Sequence, residues 1–161
     1  MATSLSLDAQ LAPAGPAAES FARLWASLWS GRYLPVPLLE LCRLTFARLH
    51  DDAAEKEARN PWLPDGALTP ERRRAVLAGE ALESAAFTEA EKAVLLFAEY
   101  YGIDVQAITD EAADAVKAHH GEAGLVFLIE ALGCIDGRIR AARCLRDIAA
   151  ANPAKEVSHV G

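Results

Sequence analysis

TEAEKAVLLFAEYY, residues 88–101, decides the fold class of this chain. Thr88 followed three residues later by Glu91 is the pattern of a capping box, in which each side chain accepts a hydrogen bond from the other residue's backbone amide. The apolar run from Ala93 to Tyr101 follows at once, and Gly102 closes it. The stretch therefore predicts a helix with a defined start and a defined end.

Helix signals also precede this stretch. From Ala17 an apolar stripe recurs at the spacing i, i+3, i+4, i+7, i+8, which is typical of one helix face; its members are Phe21, Leu24, Trp25, Leu28 and Trp29. Pro37 suits the first turn of a second helix that extends to Leu49. Thr69, followed by Pro70, predicts the start of a third helix.

The remaining helices follow the deciding stretch. Thr109 begins a short helix that ends near Gly121, and a long helix spans residues 122–150 until Asn152 and Pro153 stop it. No segment alternates with period two for long enough to predict a strand. We therefore expect an all-α protein, a single-domain helical bundle.

Composition divides the chain into three parts. Residues 1–16 are rich in Ala, Pro, Ser and Gly and predict an N-terminal arm. Residues 17–151 form the helical domain, and residues 152–161 form a C-terminal tail. A length of 161 residues fits one domain with a sizeable core.

Charge and hydropathy exclude several classes of partner. The net charge is -7, with 16 Lys and Arg against 23 Asp and Glu, so the chain repels the phosphates of nucleic acids. The longest apolar stretch, around residues 125–132, is far below the ~20 residues of a membrane span. The N-terminal residues lack the basic and apolar regions of a signal peptide. We expect a cytoplasmic protein without nucleic-acid or membrane partners.

Cys42, Cys134 and Cys144 form neither a CxxC motif nor a spacing typical of metal ligands. The last two lie on one predicted helix about 15 Å apart, since each residue rises ~1.5 Å. A disulfide needs Cα atoms within ~7 Å. We therefore expect core thiols, no metal and no cofactor.

Two motifs carry a resemblance to a known family. Residues 34–44 read LPVPLLELCRL and residues 87–99 read FTEAEKAVLLFAE. With the order of the later helices, they resemble the carboxymuconolactone decarboxylase and alkylhydroperoxidase D-like superfamily over about residues 20–146. The resemblance implies an all-helical fold of the alkylhydroperoxidase D-like type, assembled as a trimer or hexamer.

The resemblance also implies where an active centre would lie. Redox members carry a Glu twelve residues before a CxxC motif and a His four residues after it. Glu40 matches that Glu, whereas Asp52, Glu55 and Arg59 stand where the two Cys and the His would be. Because peroxide reduction needs a thiolate of low pKa, we expect that thiol redox chemistry is lost.

The Asp52–Glu55 pair supports two interpretations. It is a capping box that starts a helix, or it faces a cavity shared with Glu40. In the second case Arg59 lies on the same helix face at i+7 and grips a substrate carboxylate. Crowded carboxylates raise one another's pKa, which suits acid/base catalysis.

Glu40 and His50 are further candidates. Glu40 interrupts an apolar stretch, where a buried acid must be paired; a salt bridge with Arg43 or Arg138 is the structural alternative. His50 lies beside the acids and could transfer protons or stabilise negative charge. Aromatic residues at the same end of the chain, Trp29, Tyr33 and Trp62, are core, subunit contacts or pocket walls.

The leading hypothesis is a homo-oligomeric enzyme of lyase or isomerase type that acts by acid/base chemistry on a small organic acid or carbonyl compound. Its catalytic candidates are Glu40, His50, Asp52 and Glu55, and its substrate-binding candidates are Arg59, Trp29, Tyr33 and Trp62. One alternative is a non-catalytic ligand-binding or scaffolding homologue, and another is a thiol enzyme that uses Cys42. A roomy polar cavity at Glu40 favours the enzyme, and a filled core with Glu40 bound to an arginine favours the scaffold.

Overall fold

The computed structural model describes residues 1–151, and the predicted tail and the predicted stop at Asn152 lie outside them. The described residues form helices and turns without any strand, so the all-α prediction is confirmed. The α-helices are α1 Asp8–Leu11, α2 Pro16–Leu28, α3 Val36–Leu49, α4 Ala53–Glu57, α5 Pro70–Ala78, α6 Glu89–Ile103 and α7 Asp110–Ala151. Two 3-10 turns, Ala12–Ala14 and Val105–Ala107, follow α1 and α6.

The predicted helix starts are confirmed at two threonines. The Thr69 hydroxyl accepts a hydrogen bond from the Arg72 amide at 3.3 Å. At Thr88 both halves of the capping box form, with Glu91 accepting from the Thr88 amide at 3.0 Å. These bonds satisfy amides that lack a partner inside the helix. Local sequence chemistry therefore sets where α5 and α6 begin.

A glycine breaks α7 where the sequence predicts a boundary between two helices. Gly121 has φ 72° and ψ 174°, a conformation that is essentially restricted to glycine. The chain changes direction there and resumes as the long C-terminal part of α7. That part carries several of the charged side chains discussed below.

Helix α3 forms the centre of the bundle. It packs against α4, α5, α6 and α7, and every side chain from Leu38 to Ala47 is buried. A helix that is enclosed on all sides is normally apolar all round. Glu40 and Arg43 break this rule, so their charges must be satisfied inside the protein.

The tryptophan side chains of the α2 stripe are buried within this chain. Trp25 and Trp29 are 0% and 4% exposed, and Trp29 stacks on Trp62 with ring centroids 5.7 Å apart. The sequence left core, subunit contact and pocket wall open for these aromatic residues, and in the structure Trp25 and Trp29 belong to the core. Because the aromatic surface is covered within one chain, it gives no support to a trimer or hexamer, which stays a prediction.

The N-terminal residues, predicted to form an arm, fold back against α4 and α7. Ser4 and Leu7 are completely buried, and Leu5 is nearly so. Gly15, with φ 62°, joins this segment to α2. None of the helices in residues 1–151 is long and apolar enough to cross a membrane.

Candidate functional site

The charged side chains of α3 form a buried ion network, which we call the acid centre and define as Glu40, Arg43 and Glu55. Arg43 grips Glu40 with two nitrogens, Nη2 to Oε1 at 2.7 Å and Nε to Oε2 at 2.9 Å. Its Nη1 donates to Glu55 Oε2 at 3.0 Å and to the Glu55 carbonyl at 2.9 Å. All three side chains are at most 1% exposed. Glu40 is therefore paired with Arg43 and not with Arg138.

Neighbouring residues complete the acid centre. Asn60 Nδ2 donates to Glu40 Oε2 at 2.7 Å. The Ser4 hydroxyl donates to Glu55 Oε2 at 2.7 Å, and the Ser4 amide donates to Glu55 Oε1. Every carboxylate oxygen of Glu40 and Glu55 therefore has a hydrogen-bond donor. A buried charge is tolerated when it is paired and hydrogen-bonded in this way.

The protonation of Arg43 reflects this environment. Burial by itself lowers the pKa of a guanidinium, since it disfavours the charged form. The hydrogen bonds and charges of Glu40 and Glu55 outweigh burial and raise the pKa of Arg43 above its ordinary value. Arg43 is therefore a permanent positive charge between two acids.

Asp52 has the structural role that the capping interpretation gives it. Asp51, with φ 47°, turns the chain sharply after α3, and Asp52 Oδ1 then accepts from the Glu55 amide at 3.2 Å. Asp52 Oδ2 binds Arg146 of α7. The capping box is only half formed, because the Glu55 carboxylate is held by Arg43 and Ser4.

Arg59 does not share a helix face with Asp52 and Glu55. Helix α4 ends at Glu57, and the Arg59 side chain is 87% exposed and pairs with Asp65 at 2.8 Å. A shallow groove of about 280 Å³ between them reaches Glu40. Glu40 contributes almost no surface to it, and both of its oxygens are already bonded.

His50 lies apart from the acid centre, at the C-terminal end of α3. Its Nε2 is 2.6 Å from Asp136 Oδ1, and Asp136 Oδ2 accepts from Arg140 Nε at 2.8 Å. His50 and Asp136 are 19% and 26% exposed. The four catalytic candidates therefore do not converge on one pocket.

His50 borders an open groove of about 600 Å³ between α3 and the C-terminal part of α7. We call it the α7 groove; its lining residues are His50, Ile139, Arg140, Arg143, Cys144, Asp147, Ile148 and Ala151. Arg143 Nη1 donates to the His50 carbonyl at 3.0 Å. The lining combines two guanidinium groups with one carboxylate and apolar walls.

Sequence reasoning missed the α7 groove although a signal was present. Asp136, Arg140, Arg143 and Asp147 recur at i, i+4, i+7 and i+11 along one helix, which places them on one face. The partner of that face is His50, 86 residues from Asp136. The sequence shows the helical spacing of these four residues, but it does not predict the contact between His50 and Asp136.

The thiols are poorly suited to nucleophilic chemistry. Burial raises the pKa of Cys42 to about 12 and that of Cys134 to about 11. None of the three cysteines is in a disulfide, and only Cys144 is exposed. A reactive cysteine needs a depressed pKa and access to solvent, so the geometry disfavours Cys42 as a nucleophile.

The aromatic candidates fall into two groups. Trp29 and Trp62 pack on each other in the core. Tyr33 is 43% exposed, and the centroid of its ring lies 5.3 Å from that of Phe127. They do not form a common wall. Within residues 1–151, no group of three or more His, Cys, Asp and Glu side chains is arranged to hold a metal ion.

Comparison with known proteins finds no matching family model, no matching curated protein and no matching solved structure. The acid centre and the α7 groove are therefore the structural features that bear on function.

Proposed function

We propose that this chain is a ligand-binding protein that holds a small organic anion in the α7 groove, and that the acid centre is structural. This is the ligand-binding alternative of the sequence analysis, placed at a different site. The observation that carries it is the hydrogen-bonding state of the two regions. The acid centre is fully bonded within the protein, and the groove offers guanidinium groups beside open space.

Arg143 is the main anchor of the proposed site. Within residues 1–151 its one hydrogen bond runs from Nη1 to the His50 carbonyl, and its charge also interacts with the exposed carboxylate of Asp51. Arg140 is partly neutralised by Asp136 through Nε. Guanidinium groups bind carboxylates through two parallel hydrogen bonds. Ile148, which is 56% exposed, contributes apolar surface to the lining of the same groove.

A catalytic role at the same groove is the second candidate. The short contact between His50 Nε2 and Asp136 favours it, since an aspartate that orients an imidazole is a recurring device of acid/base catalysis. In this version His50 replaces Glu40, Asp52 and Glu55 as the proton-transfer group. The substrate class, a small organic acid or carbonyl compound, stays the same.

Titration of the full chain with benzoate, an apolar ring carrying one carboxylate, tests the binding proposal by NMR. We expect shifts of the backbone amides around Arg143 and a dissociation constant that rises roughly tenfold in Arg143→Gln, the equivalent of ~1.4 kcal/mol. Arg23→Gln is the matched control, because Arg23 is an exposed α2 arginine. Equal weakening in both variants would indicate unspecific charge attraction.

The catalytic candidate has its own readout. Slow conversion of a bound carboxylic or keto acid, followed by proton NMR and abolished in His50→Gln, would favour an enzyme. Binding without conversion across a panel of such acids would favour the binding protein.

Three finer features also remain proposals. The alkylhydroperoxidase D-like type of bundle, a trimeric or hexameric assembly and a cytoplasmic location are supported by the sequence patterns alone. Sedimentation that detects only monomer at micromolar concentration would count against the assembly and against the resemblance that implies it.

A further inference from the structure

We propose that the cleft between α4 and the C-terminal part of α7 is a peptide-binding site, which residues 2–8 occupy in cis and which a peptide of the same chemistry can occupy in trans. The proposal is independent of the α7 groove. It rests on how buried charged side chains bind this segment.

Ser4 is the centre of the segment. Its amide and hydroxyl both donate to the Glu55 carboxylate, the hydroxyl at 2.7 Å. Its carbonyl accepts from Arg138 Nε at 2.7 Å. Glu55 and Arg138 are both 0% exposed. One residue of peptide thus meets a buried acceptor on one side and a buried donor on the other.

Two arginines also bind the segment on either side of Ser4. Arg146 donates to the Ala2 carbonyl at 2.6 Å while it also binds Asp52. Asp8 lies 2.8 Å from Arg138 Nη1. The cleft therefore binds backbone carbonyl groups at Ala2 and Ser4 and an acidic side chain at Asp8.

The cis segment leaves Arg138 incompletely satisfied. Nη1 is close to Asp8 but not in hydrogen-bonding geometry, and Nη2 has no hydrogen-bond partner within residues 1–151. The guanidinium lies over the ring of Trp25, 4.6 Å from its centroid. Buried donors are nearly always paired. A fully buried guanidinium that binds the segment through Nε and leaves Nη2 without a hydrogen bond indicates a site that can accept more than its present occupant supplies.

Two apolar side chains, Leu5 and Leu7, fix the position along the cleft at which the segment binds. Leu5 packs into the main core, and Leu7 forms a separate small cluster with Ala2 and Ala142. The site thus selects a hydroxyl residue followed by an apolar residue one position later, a second apolar residue two positions after that, and then an acid. In this chain these are Ser4, Leu5, Leu7 and Asp8.

The segment is built to separate from the bundle. Its only α-helix, α1, has four residues and no side-chain cap, and short helices are marginal by themselves. Gly15, with φ 62° and ψ −133°, links it to α2 through a conformation that favours glycine. The small cluster around Leu7 is distinct from the main core. Opening of residues 1–14 therefore withdraws Leu5 from the main core and exposes the Glu55 carboxylate, but the helices α3, α5 and α6 still pack on one another.

A competition experiment on the full chain tests the proposal. The probe is an N-acetylated peptide of residues 1–10 with a fluorophore at its C-terminus, measured by anisotropy. Ser4→Pro in the chain removes both donors to Glu55 and weakens the cis segment. We expect this variant to bind the probe at least about tenfold more tightly than the wild type. Ser30→Ala, at an exposed serine outside the segment, is the control and should bind the probe like the wild type.

A second peptide checks the chemistry of the site. A probe with alanine in place of Ser4 should bind the Ser4→Pro chain about tenfold more weakly, because it lacks the hydroxyl donor to Glu55. Equal binding of both probes, or no binding of either, would overturn the proposal.

Hydrogen exchange of the wild-type chain covers the case in which Ser4→Pro fails to fold. The Ser4 amide should exchange at least about tenfold faster than the slowest amides of α3, since the segment opens without global unfolding. Exchange at the global rate would show that the segment is an inseparable part of the core and would overturn the proposal.

Discussion

The acid centre and the α7 groove both contain arginine and acidic side chains, but these side chains differ in burial and in how fully they are hydrogen-bonded. In the acid centre, Arg43 lies between two carboxylates whose four oxygens are all hydrogen-bonded and shielded from water. In the α7 groove, the exposed Arg143 makes a single hydrogen bond to residues 1–151, which goes to a backbone carbonyl. A charged residue type therefore does not by itself indicate a functional site. What distinguishes Arg143 from Arg43 is its exposed side chain, which has hydrogen-bond donors that the described residues do not use.

The largest difference that we expect between the two regions is in thiol reactivity. Cys42 lies one residue from Arg43 in α3, and Cys144 lines the groove. With a pKa of about 12, only about one Cys42 thiol in 10⁴ is ionised at pH 8. We expect iodoacetamide to label Cys144 about a thousandfold faster than Cys42, by mass spectrometry of the native chain. Since the neutral thiol predominates below its pKa, Cys42 labelling should rise with pH.

Fast labelling of Cys42 at pH 8 in the folded chain would contradict this picture. It would mean that the core around the acid centre opens readily to solvent, and it would return Cys42 to the list of nucleophile candidates. Cys42→Ala provides the control that assigns the labelled peptide.

The second prediction concerns the removal of the central cation. Arg43→Met leaves two buried carboxylates without their common partner, so we expect a loss of ~3–5 kcal/mol or more in the free energy of unfolding. Urea denaturation followed by circular dichroism measures it. The matched control is Arg59→Met, at an exposed ion pair, where the change should stay within ~1 kcal/mol. Similar losses in both variants would mean that burial does not distinguish the two arginines.

How far the sequence leads can be judged from individual residues. Thr69, Thr88 and Gly121 act on backbone within a few residues of themselves, and the helix boundaries predicted from them are confirmed. The partner of Glu55 is Ser4, 51 residues away, and no local pattern predicts such a contact. The general position of Glu40 as a buried, paired acid was predictable from its apolar neighbours.

The interpretation that fails has a physical cause. It places Arg59 on the helix face of Asp52 and Glu55, which requires the helix to continue, but α4 contains only five residues. For the tryptophan stripe of α2 the sequence leaves core and subunit contact open. Trp62, from the turn region after α4, packs on Trp25 and Trp29, so a contact distant in sequence brings them into the core.

The third prediction has the smallest expected effect. His50 and Asp136 are partly exposed, so His50→Gln should lower the free energy of unfolding by less than ~1 kcal/mol. Urea denaturation measured beside the Arg43→Met variant gives the comparison directly. A loss as large as that of Arg43→Met would make the groove a structural region, and the distinction between the two regions would disappear.

The most direct test of that distinction is the affinity of Glu40→Gln for benzoate, measured by NMR titration under conditions in which the variant is folded. Gln keeps the shape of Glu40 and removes its charge, and Glu40 is far from any open surface of the α7 groove. We expect a dissociation constant within about twofold of the wild-type value, together with reduced stability because Arg43 loses a buried partner. A folded Glu40→Gln chain that binds benzoate tenfold or more weakly, with unchanged stability, would contradict a structural role and return Glu40 to the functional site.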